Sequence, residues 1–207
     1  MTNAEIHAVL FDYGGVIAEE GFYHGLISLA EEQALDAKTM PQQGMDAVYD
    51  SGFVLGRGNV NDFWSLLRQR TGLEGDDELL TERVLEGFQI RIWVIELVRK
   101  LRAKGYLAGI LSDQTPWLDE LDKVDHFYQE FDHVFNSYYR GKGKRDASLF
   151  TDVVTELGLE PAQVLLVDDN EDNVQRAKQM GLNAIHYTSH SDFILALERV
   201  LAEEFSH

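Results

Sequence analysis

The sequence predicts an α/β fold built on a parallel sheet, and three observations carry that prediction. Short apolar runs of strand length end in acids or small polar residues. Amphipathic helical patterns, several closed by glycine, lie between them across residues 92–188. No repeat or low-complexity linker interrupts the 207 residues, which at roughly 150 residues per domain make one domain, or one with a sizeable insert. Strand and helix signals alternating at short intervals mark a parallel sheet covered on both faces.

The first run, Ala8–Phe11, is short, apolar and aromatic, as a buried strand should be. It stops at Asp12-Tyr13-Gly14-Gly15, where the glycine pair predicts a tight turn. Residues 18–88 then break the alternation. They read as mostly helical, residues 62–67 among them, and so as an insert that should sit as a lid over the sheet's edge. The expected division is residues 1–17 and 89–207 for the α/β core and 18–88 for the helical insert. Residues 92–101 predict an amphipathic helix closed by Lys104-Gly105. The second strand covers residues 107–111 and ends in Ser112-Asp113. A weaker strand signal lies at residues 133–135. A helix over residues 149–157 stops at Gly158, and the third clear strand, residues 164–167, ends in Asp168-Asp169. A helix over residues 173–180 stops at Gly181. A weak strand at residues 184–187 and a terminal helix over 191–205 complete the pattern.

Composition narrows the function. Asp and Glu number 36 against 18 Lys and Arg, a formal net charge of −18. That balance speaks against nucleic acid and anionic membranes as partners, since both are held by Lys and Arg. A small anionic substrate needs only local positive charge. The chain has no Cys, which excludes thiolate nucleophiles, disulfides and cysteine zinc sites. No apolar run reaches the roughly 18 residues of a membrane span. The first residues lack the basic start and apolar core of a signal peptide. A soluble, cytoplasmic chain, monomer or homodimer, is the expectation.

Three strand candidates finish with a carboxylate: Asp12, Asp113 and the pair Asp168-Asp169. Ligands of open parallel sheets bind beyond the carboxyl ends of the strands, so these acids should meet in one pocket. Carboxylates crowded together repel unless a cation or proton sits among them, and oxygen-only ligands suit Mg²⁺. The plainer alternative is that each Asp caps the helix after its strand; capping does not require the acids to converge. The basic island Arg140-Gly141-Lys142-Gly143-Lys144-Arg145 reads as a solvated loop, unless one Lys reaches the acids and makes a phosphate site.

Phe11-Asp12-Tyr13-Gly14-Gly15-Val16-Ile17, then Leu111-Ser112-Asp113, Lys144, and Val167 to Asn173 (Val-Asp-Asp-Asn-Glu-Asp-Asn) resemble, in order, the four motifs of the haloacid dehalogenase (HAD) superfamily. The closest flavour is its small sugar-phosphatase-like group. The resemblance implies a Rossmann-like parallel-sheet core with a helical cap domain inserted after the first strand. It implies a Mg²⁺-dependent hydrolase of small phosphorylated substrates. Asp12 would be the nucleophile and form an aspartyl-phosphate. Mg²⁺ would be held by Asp12, the Gly14 carbonyl and Asp169, with Asp168 an alternative or outer ligand. Ser112 and Asp113 stand at the phosphate-binding motif, Gly15 and its turn would present N–H groups to the phosphate, and Lys144 would stabilise charge on the transferring group.

Three departures from the family pattern matter. Gly14 stands where the superfamily's phosphatases usually carry a second Asp, the general acid–base. Its loss should favour leaving groups that are stable as anions, those of sugar 1-phosphates, aryl phosphates or acyl phosphates, unless Glu19, Glu20 or His24 supplies the proton. Asp113 replaces a common Asn and adds negative charge beside the phosphate, unless it points away or pairs with a base. Arg145 replaces a common Pro and either loosens the Lys144 loop or adds a phosphate contact. Phe22, Tyr23, Phe53, Phe63 and Trp64 either line a pocket above the metal or fill the insert's own core. His126, His133, His186 and Trp93 read as structural. Other functions to weigh are a binding protein with impaired catalysis and a metal-free haloacid dehalogenase, whose relatives usually place Tyr at the position of Gly14.

Overall fold

The computed structural model describes residues 5–202 and 205. Five parallel strands, β1 (Ala8–Phe11), β2 (Leu107–Ser112), β3 (His133–Asn136), β4 (Val164–Asp168) and β5 (Asn183–His186), form one sheet in the order β3-β2-β1-β4-β5. Each lies within one residue of its predicted bounds. The helices are α1 (Gly21–Glu32), α2 (Met40–Asp50), α3 (Val60–Thr71), α4 (Asp77–Leu85), α5 (Ile92–Ala103), α6 (Trp117–Asp125), α7 (Ser137–Arg140), α8 (Ser148–Leu157), α9 (Glu171–Gln179) and α10 (His190–Leu201). None is long and apolar enough to cross a membrane.

Side chains alternate along a strand, so strands apolar at every position need cover on both faces. Val9, Phe11, Ile110, Leu165 and Val167 pack on one face with Val98 of α5 and Leu197 of α10. Ala8, Leu10, Leu111, Val164 and Leu166 pack on the other with Phe150 and Val153 of α8 and Ala177 of α9. Helix α10 ends at Leu201, short of the predicted residue 205. Ala202 turns left-handed at φ 54°, and Phe205 folds back to a buried position with its N–H on Glu198 Oε1 at 2.8 Å. Burying that ring requires the chain to leave the helix axis.

Helices α1 to α4 lie between β1 and α5. The chain leaves and returns side by side: Glu19 N donates to Gln89 O at 2.9 Å and Arg91 N to Ile17 O at 2.8 Å. The apolar faces of these helices, with Leu26, Phe63, Trp64 and Val84, join the layer that holds Phe11. The insert reaches across the carboxyl ends of β2 and β3. Ser137 Oγ donates to Val54 O at 2.7 Å, and the Phe53 ring meets Trp117 edge-on at 5.5 Å.

Tyr13 packs between Phe127 and Phe88, with ring centroids 4.9 and 5.7 Å away. Its buried hydroxyl has no hydrogen-bond partner among the described residues. A buried donor left unpaired costs free energy that its removal returns. Tyr13→Phe should therefore leave stability unchanged or raise it by up to about 1 kcal/mol in a denaturant titration; a clear loss would mean that the hydroxyl is partnered in solution.

Candidate active site

Strand register brings the acids together. Phe11 pairs with both Ile110 and Val167, so Asp12 falls on the rung of Asp168, and its N–H donates to Val167 O at 2.9 Å. Ser112 ends β2 on the other side of β1, and its hydroxyl donates to Asp12 Oδ1 at 2.5 Å. The same oxygen accepts Tyr13 N at 2.8 Å. The helix cap after β4 is Asn170, which accepts the N–H groups of Asp172 and Asn173. Helix α9 therefore starts two residues ahead of its predicted start at 173, and neither Asp168 nor Asp169 is used as its cap.

Lys144 is 1% exposed and its Nζ lies 2.6 Å from both Asp12 Oδ2 and Asp168 Oδ2. Asp168 also accepts Asn170 N at 2.9 Å and the Asn173 amide at 3.2 Å. Asp12, Asp168 and Asp169 each offer a carboxylate oxygen within 4.8 Å of the others. One cation thus faces three acids. Burial pushes the Asp12 carboxyl well above the usual carboxylate range; Lys144 opposes this, and Asp168 and Asp169 add to it. Burial and Asp168 likewise raise Asp169. Burial alone would pull Lys144 down, but the attraction of Asp12, Asp168 and Asp113 outweighs it and holds the ammonium above its ordinary value.

Asp113 lines the cavity but is committed to protein. Both its oxygens accept the Lys144 N–H, at 2.8 and 3.0 Å, and Oδ2 accepts the Tyr49 hydroxyl of α2. Of the expected alternatives for its charge, the carboxylate is paired with protein donors. Asp113 ties the Lys144 loop to the insert, and Gly143 leaves it room: a Cβ there would lie 2.9 Å from its carboxylate. Arg145 turns toward the insert. Its guanidinium lies over the Tyr49 ring, 3.6 Å from the centroid. The rest of the basic island is spent on the surface, Arg140 on Glu156 and Lys142 on Asp152.

Gly15 takes φ +77°, and a Cβ on it would lie 2.1 Å from Asp169 Oδ2. Only glycine lets the first turn approach Asp169 so closely. Arg91 pins this turn by donating to the carbonyls of Gly15 and Val16 and to Glu19. The three proton-source candidates separate accordingly. The hydrogen bond to Arg91 holds Glu19 below its usual range. His24 is exposed. Glu20 lines the cavity, and a Cβ on Gly14 would lie 2.7 Å from its Oε2. Its Oε1 accepts the Tyr23 N–H at the start of α1.

The cavity between the sheet and α1–α2 measures about 370 Å³, with Asp12, Ser112, Lys144 and Asp169 among its lining residues. Of the five aromatic candidates, Phe22 and Tyr23 line it, whereas Phe53, Phe63 and Trp64 are buried in the apolar layer. Trp93 stacks against His190 and Tyr187, and His133 against Phe135, as structural residues do. His186 does more, with Nε2 2.9 Å from the Asp169 carbonyl oxygen. Tyr49, Trp117 and Arg91 carry no motif signal. Their roles come from partners distant in sequence: Asp113 for Tyr49, Phe53 for Trp117, and Glu19 with the first turn for Arg91.

Residues 6–181 match the family model of haloacid dehalogenase-like hydrolases. A sesquiterpene phosphatase of Aspergillus oryzae is 24% identical over 183 residues, covering 87% of this chain and 89% of that protein. The structure of a HAD-like family hydrolase of Porphyromonas gingivalis superposes with a TM-score of 0.73 at 24% identity, over 97% of this chain and 100% of that one. A HAD family enzyme of Bacteroides thetaiotaomicron, in complex with magnesium and inorganic phosphate, superposes with a TM-score of 0.64 at 20% identity, over 89% and 96% of the two chains. Sequence match, sheet order and the meeting of the four motifs at one end of the sheet agree, and the chain belongs to the haloacid dehalogenase-like hydrolases.

Proposed function

We propose that this protein is a Mg²⁺-dependent phosphohydrolase of small phosphorylated metabolites that works through an aspartyl-phosphate on Asp12, with residues 18–88 as its cap domain. The observation that carries the reading is the convergence of Asp12, Asp169 and Lys144 on one cavity. The similarity to a phosphatase, and to an enzyme that holds magnesium and phosphate, supports it.

The residues fit the metal. Three carboxylates within 4.8 Å of one another supply hard oxygen donors, and a cation among them relieves the repulsion that Lys144 leaves. Asp12, Asp169 and the Gly14 carbonyl would hold it, while Asp168, occupied by Lys144 and Asn173, orients the lysine. Bound there, Mg²⁺ supplies the charge that lets a phosphate dianion approach a carboxylate. Ser112 holds Asp12 in place and switches its hydrogen bond to a phosphoryl oxygen as Asp12 attacks. Lys144 stabilises charge on the transferring group.

Glu20 replaces the acid missing at Gly14, since its carboxyl fills the space beside that residue. Asp12 bonds to phosphorus as the ester P–O bond breaks, and the departing oxygen takes the Glu20 proton. Water then attacks phosphorus, Glu20 takes the proton of that water, and Asp12 is released. Burial and the Asp169 charge push Glu20 up to about 7. Sugar 1-phosphates, aryl phosphates and acyl phosphates need the proton least. In kcat/KM, which reads only the transfer of phosphate to Asp12, Glu20→Gln should therefore cost about 10²-fold on glycerol phosphate and little on p-nitrophenyl phosphate. The wild-type rate on glycerol phosphate should fall above about pH 7, as Glu20 deprotonates, and the variant should lack that limb. Equal losses of kcat/KM on both esters would remove Glu20 from its role as acid.

The first test is phosphate release from p-nitrophenyl phosphate with Mg²⁺ and with a chelator. Turnover that requires Mg²⁺ is expected. A folded protein that releases no phosphate would favour a binding role instead.

A further inference from the structure

The phosphate chemistry occupies the sheet side of the cavity. The side facing it comes from the insert and from α6, and its character differs. Phe22 and Tyr23 of α1, Met45 and Val48 of α2, Val54 and Trp117 are among the residues lining it. Two of these are large apolar side chains left open: Tyr23 is 49% and Met45 37% exposed. The pair places apolar surface at the cavity wall, where a bound hydrocarbon would remove it from water.

The polar side chains on this wall are few and mostly spent; Arg145, Asp172 and Arg176 also line the cavity, but from the Lys144 loop and α9 on the sheet side. The Tyr49 hydroxyl donates to Asp113, Thr115 Oγ1 accepts the Trp117 N–H, and the Asn173 amide serves Asp168 and Arg176. Asn170 caps α9. A polyol would bring several hydroxyls to this wall, and each one desolvated without a partner costs binding free energy. The Gln114 amide and the Tyr23 hydroxyl can serve an oxygen each, not a ring of them.

From this wall we infer that the group carried by the phosphate is an apolar alcohol, aromatic or hydrocarbon, and not a sugar. The inference rests on the phosphohydrolase reading and selects among the substrates which that reading leaves open. The bound hydrocarbon covers Tyr23 and Met45, packs on Val48 and Trp117, and asks for no hydrogen bonds beyond those to its phosphate.

A matched pair of esters tests it. Cyclohexylmethyl phosphate and glucose 6-phosphate are both primary-alcohol monoesters on a six-membered ring and differ chiefly in hydroxyls. Acetyl phosphate, with a leaving group too small to use the wall, reports the phosphate chemistry by itself. With Mg²⁺ present, kcat/KM should favour cyclohexylmethyl phosphate by about tenfold or more, mainly through KM. The double variant Tyr23→Gln, Met45→Gln, altered only at open positions, should bring that ratio to within about threefold of one. Acetyl phosphate turnover combined with a ratio near one, with a preference for glucose 6-phosphate, with no turnover of either ring ester, or with a ratio that the double variant leaves unchanged would overturn the inference and leave the phosphohydrolase reading standing. No phosphate release from any of the three would overturn both.

Discussion

Asp12→Asn should abolish phosphate release, by at least about 10⁴-fold, and leave the protein as stable as the wild type or more so. The amide cannot form the acyl phosphate, and no neighbouring group replaces it, because Asp168 is fully buried and held by Lys144 and Asn173. The fold survives because Asn keeps an oxygen for the N–H of Tyr13 and the hydroxyl of Ser112, and Lys144 keeps Asp168. The sign of the stability effect follows from the carboxyl. Its value in the folded protein is raised, chiefly by burial. A raised carboxyl favours folding at low pH, where it is protonated, and loses that advantage as pH climbs through the folded value. At neutral pH an ionised Asp12 therefore works against folding, and the neutral amide removes the strain. Phosphate assays and thermal unfolding in a chelator at pH 7 read both effects. Residual turnover above about one part in a hundred would put the nucleophile elsewhere. A markedly lower Tm would mean that the pair with Lys144 outweighs the burial.

Lys144→Met should be the opposite case on stability and a comparable one on activity. The ammonium is buried and lies 2.6 Å from two carboxylates, one of them fully buried. Removing one partner of a buried ionic cluster leaves the others uncompensated, which typically costs about 3–5 kcal/mol. Activity should fall by about 10³-fold or more, since the only cation within contact of Asp12 among the described residues, and the transition-state charge it would meet, are lost together. The deficit in stability should shrink as pH is lowered, because Asp12, already raised, takes up a proton and relieves the repulsion. Denaturant titrations at pH 5 and pH 8 test this. A deficit of the same size at both would show that lost packing of the lysine stem, and not charge, is responsible.

The contrast between these two variants marks what could be read from the chain. Strand positions were legible because a strand buried on both faces must be apolar at every residue, and Ala8–Phe11 and residues 164–167 have few other uses. The acids Asp12, Asp168 and Asp169 were legible because a parallel sheet collects its strand ends at one edge. Lys144 stood out from the three other basic residues of its island only through its place in an ordered set of motifs. Asp113 was legible only in its place beside the phosphate motif; that its carboxylate clamps the backbone of Lys144 and the hydroxyl of Tyr49 is set by the fold.

The sequence by itself determined the sheet, the helical insert and the acids that meet at the strand ends, because these depend on local periodicity and on a topology with few alternatives. Only the tertiary structure decided which groups finish the site. Glu20, Glu19 and His24 are equivalent candidates in the sequence; the fold sets the Glu20 carboxyl against Gly14 and ties Glu19 to Arg91. Phe22 and Tyr23 were indistinguishable from Phe53, Phe63 and Trp64 until packing turned the first two toward the cavity and buried the others. Side-chain identity records what a residue can do. Which partner it meets depends on how far apart elements distant in sequence are held, and a helical insert that docks through a few long-range contacts leaves no local periodicity from which that spacing can be read.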